Sequence, residues 1–132
     1  LTQEELNELG KDFISELPDT VIPKQSRHIP GAENYKEGKS ILSPTLYEKV
    51  AGKKNTYTYA GVERLYNKYS GSGRFTMKIE DRKISQVKEQ VVSDEIIGID
   101  VNQGSENLTT GFKIHYSKKG YHIVPWTPEK GE

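Results

Sequence analysis

The chain has 132 residues (15.0 kDa), 19 Lys and Arg against 19 Asp and Glu, no Cys, one Met, one Trp and a mean hydropathy of −0.77. That is the size of one ordinary domain with a lean core, and its composition excludes disulfides, zinc–thiolate sites, iron–sulfur clusters and cysteine nucleophiles. No apolar run approaches the roughly 20 residues of a membrane span, and the neutral total hides a net −5 over 1–23, +8 over 24–88 and −3 over 89–132.

Thr2-Gln3-Glu4-Glu5 reads as a capping box, and Leu6, Leu9, Phe13 and Leu17 then recur every three or four residues until Pro18. The spacing predicts an amphipathic helix over 1–18, acting as scaffold or as a linker to a longer parent polypeptide. Met77 is the sole Met and the chain opens with Leu1, which fits a piece of a larger protein. Residues 19–132 would form the domain proper. Pro18, Pro23, Pro30 and Pro44 mark 18–44 as extended and irregular, with helix disfavoured through Lys24-Gln25-Ser26-Arg27-His28-Ile29-Pro30-Gly31. Ser43-Pro44 predicts an N-cap with Pro at N1, opening a short helix through Leu46, Tyr47 and Val50 that Gly52 ends. A second helix is predicted from about Ala60 to Tyr69, broken by Ser70-Gly71-Ser72-Gly73.

After Gly73 the apolar period changes from 3.6 to 2. Phe75/Met77/Ile79, Val87/Val91 and Ile97/Ile99/Val101 are strand candidates, followed by a hairpin of Gly111–Ser117 and Tyr121–Trp126. Helices first and an antiparallel sheet after make an α+β domain, with the N-terminal helices packed on one face of about four strands.

The hairpin carries the most chemistry. Alternation puts Phe112, Ile114 and Tyr116 on one face and Lys113, His115 and Ser117 on the other. A two-residue turn at Lys119-Gly120, pairing Ser117 with His122, or a bulged loop of the same parity, sets His122 on the polar face. A one-residue slip would bury it with the apolar residues. Two imidazoles, a hydroxyl and an ammonium then share one surface, with Thr109 and Thr110 at its entrance.

Cleaving RNA by internal transesterification needs a base for the 2′-OH, an acid for the 5′ oxygen and cations about the phosphate, but no metal. Imidazoles titrate in the right range, and the chain holds three: His28, His115 and His122. Strand histidines can equally decorate a solvated sheet. Asp94, Glu95 and Asp100 lack metal-ligand spacing. Gly71-Ser72-Gly73-Arg74 is either a phosphate cradle or a helix stop, and Trp126 either stacks on a base or anchors the last strand.

The block from Lys24 to Gly31 with Asn34-Tyr35, then Ile97-Gly98, and the closing Phe112-Lys113-Ile114-His115-Tyr116-Ser117-Lys118-Lys119-Gly120-Tyr121-His122-Ile123-Val124-Pro125 resemble the bacterial toxin 50 family. The resemblance spans roughly residues 20–128. It implies a ribonuclease toxin of the superfamily grouping barnase, EndoU, the colicin tRNA nucleases and RelE, with N-terminal helices on a four-stranded sheet whose open face holds the site. It further implies delivery within a larger, secreted protein, action in a target cell's cytoplasm, RNA (tRNA among the candidates) as substrate, no cofactor, and an immunity protein as partner. On that footing His28 and His122 form the acid–base pair. Ser117 and Thr110 serve the transition state, and Lys24, Arg27, Lys113 and His115 hold phosphate. His28 should then lie within roughly 10 Å of His122, since a phosphodiester must fit between them. The competing reading is a non-catalytic interaction module using the same surface.

Overall fold

The computed structural model describes residues 1–129. In chain order come α1 (Gln3–Ile14), a 3-10 helix (Pro23–His28), β1 (Ile41–Leu42), a 3-10 turn (Pro44–Leu46), β2 (Glu48–Lys49), β3 (Tyr57–Thr58), α2 (Ala60–Tyr69), β4 (Arg74–Glu80), β5 (Lys83–Val92), β6 (Gly98–Asn102), β7 (Ser105–Thr109), β8 (Gly111–Ser117) and β9 (Gly120–Pro125). The fold is α+β. Its main sheet is antiparallel in the order β4-β5-β8-β9, and β1-β6-β7 and β2-β3 make two smaller sheets.

The capping box forms as expected: the Thr2 hydroxyl accepts from Glu5 N, and the Glu5 carboxylate accepts from Thr2 N. Gly10 lets α1 lie directly on the Phe75 ring, where any Cβ would collide with it. Val62, Leu65 and Tyr66 of α2 pack with Phe75, Val87, Val91, Phe112, Ile114, Tyr121 and Ile123 into one core. Tyr66 stacks on Tyr121 with ring centroids 3.7 Å apart. The core thus takes one face of the main sheet and leaves the other for Lys88, Lys113, His115 and His122.

Both edges of that sheet are closed by side-chain amides. On the β4 edge, Asn7 Oδ1 accepts from Phe75 N and Gln3 Nε2 donates to Phe75 O, both at 2.9 Å. On the β9 edge, the fully buried Gln25 accepts from Ile123 N at 2.7 Å and donates to Ile123 O at 2.9 Å. Thr20 and Ile22 take the backbone groups of Tyr121. An edge strand otherwise presents unpaired polar groups, so these contacts end the sheet and dock the chain ahead of His28 against it.

Three local expectations are corrected. The helix expected from Ser43 is only the turn Pro44–Leu46. From Glu48 the chain becomes a strand paired with Tyr57–Thr58, and Tyr47 meets Tyr57 edge to face at 5.9 Å. Residues 23–28, expected to be extended, form a 3-10 helix that Pro23 starts from its first position. The closing turn is Lys118-Lys119 rather than Lys119-Gly120, so His115, not Ser117, faces His122. Gly120 is paired within β9 at φ 137°, where a Cβ would run into the Thr20 carbonyl. Its glycine answers that close approach, not a turn. The two registers differ by two residues, so the faces stay as expected.

A bulge at Gln86 (φ 52°) lets Ile84 and Val87, three residues apart, both turn toward the core. Glu89 keeps the alternation of Val87 and Val91 and so brings an acid to the apolar side. Fully buried on the core side, its carboxylate accepts from Gly71 N (3.0 Å), Gly73 N (2.6 Å) and the Tyr116 hydroxyl (2.7 Å). The Gly71–Arg74 stretch therefore already holds a carboxyl group, the chain's own.

Candidate active site

Two rows of cross-strand neighbours cross the open sheet face. One runs Thr76, Lys88, His115, His122; the other runs Arg74, Gln90, Lys113, Val124. The 3-10 helix Pro23–His28, held by Gln25, overhangs the first row and brings in Lys24, Arg27 and His28. The three imidazoles gather there. The His28 and His122 rings are nearly parallel with centroids 5.9 Å apart, inside the 10 Å expected, and His115 lies 4.8 Å from His122 on the other side. They line a cleft of ≈ 350 Å³ with Lys24, Arg27, Lys39, Ser40, Val101 and Val124.

Hydrogen bonding sets the resting proton positions. His28 Nδ1 lies 2.8 Å from the Ser40 carbonyl, which can only accept, so Nδ1 carries the proton and Nε2 keeps a lone pair. Ser40 is itself fixed: its hydroxyl accepts from Val101 N and donates to Asp100, whose other oxygen accepts from Thr127 N. His122 has the opposite problem. Its Nδ1 is buried with no partner among the described residues. Either tautomer leaves that atom unsatisfied, and because orphaned N–H groups are rarer than orphaned acceptors the neutral ring favours its hydrogen on Nε2.

All three imidazoles are held below the usual histidine range. Burial is the main cause at each. For His122, pushed down to about 3, the neighbouring His115, His28, Lys24 and Arg27 add repulsion. For His115, down to about 4, Lys88 and Lys113 come next. His28 is lowered by burial and by Lys39 and Arg27, against which the Ser40 carbonyl acts. The ligand-free cleft therefore holds neutral rings ringed by permanent cations, a strongly anion-seeking arrangement.

The other expected residues divide. Lys24 lines the cleft and Ser117 its neighbouring hollow, but the Ser117 hydroxyl donates to Gly120 O and accepts from Lys119 N, which commits it to the turn. Lys113 shares the face yet reaches away from the imidazoles, its Nζ 5.6 Å from the Trp126 ring centroid. Thr110 is not brought to the cleft: it precedes β8, roughly 17 Å of strand from His115, and its carbonyl accepts from Ser93. Sequence reasoning passed over Lys39, Ser40 and Lys88. Lys88 had a legible signal, since alternation from the buried Val87 turns it to the polar face; Ser40 had none. Of the three acids weighed for metal, Glu95 pairs bidentately with Arg64 and Asp94 lies 3.9 Å from Lys68, while Asp100 supports Ser40. Among the described residues, no group of three or more His, Asp or Glu is arranged to hold a metal ion, and no helix is long and apolar enough to cross a membrane.

A family model described as bacterial toxin 50 matches residues 21–125, from the strand-edge segment ahead of the 3-10 helix to the last residue of β9. No curated protein and no solved structure matches the chain. The match leaves out α1, although α1 packs on Phe75 and closes the β4 edge.

Proposed function

The chain belongs to the bacterial toxin 50 family, and from that premise we propose that it is a ribonuclease toxin domain cleaving RNA by 2′-OH transesterification, without a metal. The observation that carries the reading is the stacked His28–His122 pair over a cation-lined cleft, one ring presenting a lone pair and the other an N–H.

In this reading the phosphodiester lies across the two rings, its charge met by Lys24, Arg27 and Lys39. His28 Nε2 takes the 2′-OH proton as the 2′ oxygen attacks phosphorus. The Ser40 carbonyl stabilises the resulting imidazolium through Nδ1–H, the part played by a carboxylate in other catalytic His pairs. The P–O5′ bond breaks, and the 5′ oxygen takes the Nε2 proton of His122. Only an imidazolium can give that proton up, and His122 resists charging in the empty cleft. The phosphate's own negative charge is what favours the imidazolium, so the acid is armed by substrate. The products are a 2′,3′-cyclic phosphate and a 5′-OH. Lys88, beside His115 in the same row, adds positive field, and the neutral His115 ring offers a second N–H donor. A cognate immunity protein covering this cleft, delivery as part of a larger protein and action in the cytoplasm of a target cell complete the proposal.

The test is cleavage of total RNA and tRNA in excess chelator, with the termini identified. Cleavage with cyclic-phosphate ends, lost about 10²-fold or more in His28→Ala and His122→Ala, supports the reading. Undiminished cleavage of RNA methylated at the scissile 2′-OH would mean an activated water instead. An inert wild-type domain would favour the interaction module.

A further inference from the structure

Beside the histidines lies a second feature that the proposed chemistry does not use. Arg74, Gln90, Lys113, Trp126 and Glu129 line a shelf of ≈ 200 Å³ on the same sheet face. Arg74, Gln90 and Lys113 belong to the adjacent cross-strand row, two residues along β8 from His115. That is roughly 7 Å, about one nucleotide's reach along an extended strand. Trp126 continues the ladder beyond β9, its N–H donating to Gly111 O at 3.0 Å, and alternation from Val124 turns its ring to this face. Trp126 is partly exposed, and Lys113 Nζ rests 5.6 Å from its ring centroid. Arg74 is oriented from behind: its Nε donates to Gln3 Oε1 at 2.9 Å, and Gln3 is itself tied to the Phe75 carbonyl.

Resting on the ribonuclease reading of the neighbouring cleft, we infer that this shelf is the subsite for the nucleotide next to the scissile phosphate, its base stacking on Trp126 and its phosphate held by Arg74 and Lys113. A core anchor would be fully buried and have no need of an open polar shelf, whereas Trp126 is partly exposed, borders such a shelf and has the Lys113 ammonium near its ring. A nucleotide supplies partners for both halves of that pair: a π-face for the indole and an anion for the ammonium. Glu129 places the two ends. Its carboxylate repels phosphate but can accept from the N–H groups of a base, so the base belongs at the Trp126–Glu129 side and the phosphate at the Arg74–Lys113 side. Gln90, between Arg74 and Lys113, adds an amide donor for a phosphate oxygen. The single-stranded register is then continuous: scissile phosphate at His28–His122, flanking nucleotide one row away.

Trp126 is the only Trp, so the intact chain reports on its own subsite. A short, fully 2′-O-methylated RNA oligonucleotide, which cannot be cleaved by the 2′-OH route, is titrated while Trp emission and the anisotropy of a label on the oligonucleotide are followed. Saturable quenching that tracks the anisotropy, and that inorganic phosphate alone does not reproduce, is the expected result. Trp126→Ala should weaken oligonucleotide binding about 5- to 100-fold, with Trp126→Phe retaining most of it. Lys113→Ala, whose side chain takes no part in the core, should weaken binding and its salt dependence together. Oligonucleotide binding with unchanged Trp emission, or with equal affinity in Trp126→Ala, overturns the subsite even if RNA is cleaved. Quenching by the oligonucleotide in a domain that cleaves no RNA would sink the ribonuclease reading and with it the shelf's place beside a scissile phosphate, leaving a nucleotide-binding shelf.

Discussion

Acid should unfold this domain through its histidines before it touches its carboxylates. His122 and His115 are held down to about 3 and about 4, whereas an unfolded chain protonates histidine near 6.5. The folded state therefore binds fewer protons than the unfolded state below pH 6.5, and stability falls as pH falls. The contribution is complete above pH 6.5 and is lost progressively toward pH 4 for His115 and pH 3 for His122. At pH 5 each ring has forgone about 1.5 pH units, or about 2 kcal/mol, so the pair costs about 4 kcal/mol. That is a large part of the 5–15 kcal/mol typical of a whole domain. Glu95, lowered by its hydrogen bonds from Arg64, begins to lose its contribution only as pH falls below the unfolded value of 4.5, under the pH 7 to 5 range in which the histidines act. Urea denaturation of the ligand-free chain at pH 7, 6 and 5, followed by circular dichroism, measures the effect. The double variant His115→Asn/His122→Asn should flatten the profile. A wild-type unfolding free energy unchanged between pH 7 and 5 would refute the argument, because it would require the imidazoles to protonate in place at no cost.

The same depressed rings shape catalysis: kcat/KM, which reports the free protein, should peak below pH 6.5, while kcat, which reports the phosphate-bound state, should peak higher. A kcat/KM optimum above pH 7 in an RNA cleavage assay between pH 5 and 8 would contradict neutral resting imidazoles. Gln25→Ala should cost roughly 2–4 kcal/mol, since it strips the buried N–H and C=O of Ile123 of their partners. It should also loosen the 3-10 helix that carries His28. Denaturation midpoints and the His28 imidazole NMR signals would check this, and a variant as stable as wild type would show that the edge is closed by Thr20 and Ile22 alone.

What the sequence by itself determined were features set by neighbours along the chain. The Thr2–Glu5 capping box, the bounds of α2 at Ala60 and Tyr69 and the faces of the last hairpin all follow from one-turn or two-residue periodicities. Parity sufficed to place His115 and His122 together even though the turn was misplaced by a residue, because a register shift of two leaves every side chain on its own face. The gathering of His28 with His122, anticipated through the family resemblance, has its physical cause in a contact no local pattern announces. Gln25 bonds to Ile123 across 98 positions of sequence, and that pair swings the preceding and following cations over the sheet. Tertiary structure alone decided the rest. It drew the Ser117 hydroxyl into its own turn, gave the inward-facing Glu89 the Gly71–Gly73 amides as partners, and set Ser40 behind His28 to fix its tautomer. Each of these is a hydrogen-bonding choice made by a polar group that had several partners within reach of its chemistry. Only the packed chain shows which partner is near enough to satisfy it.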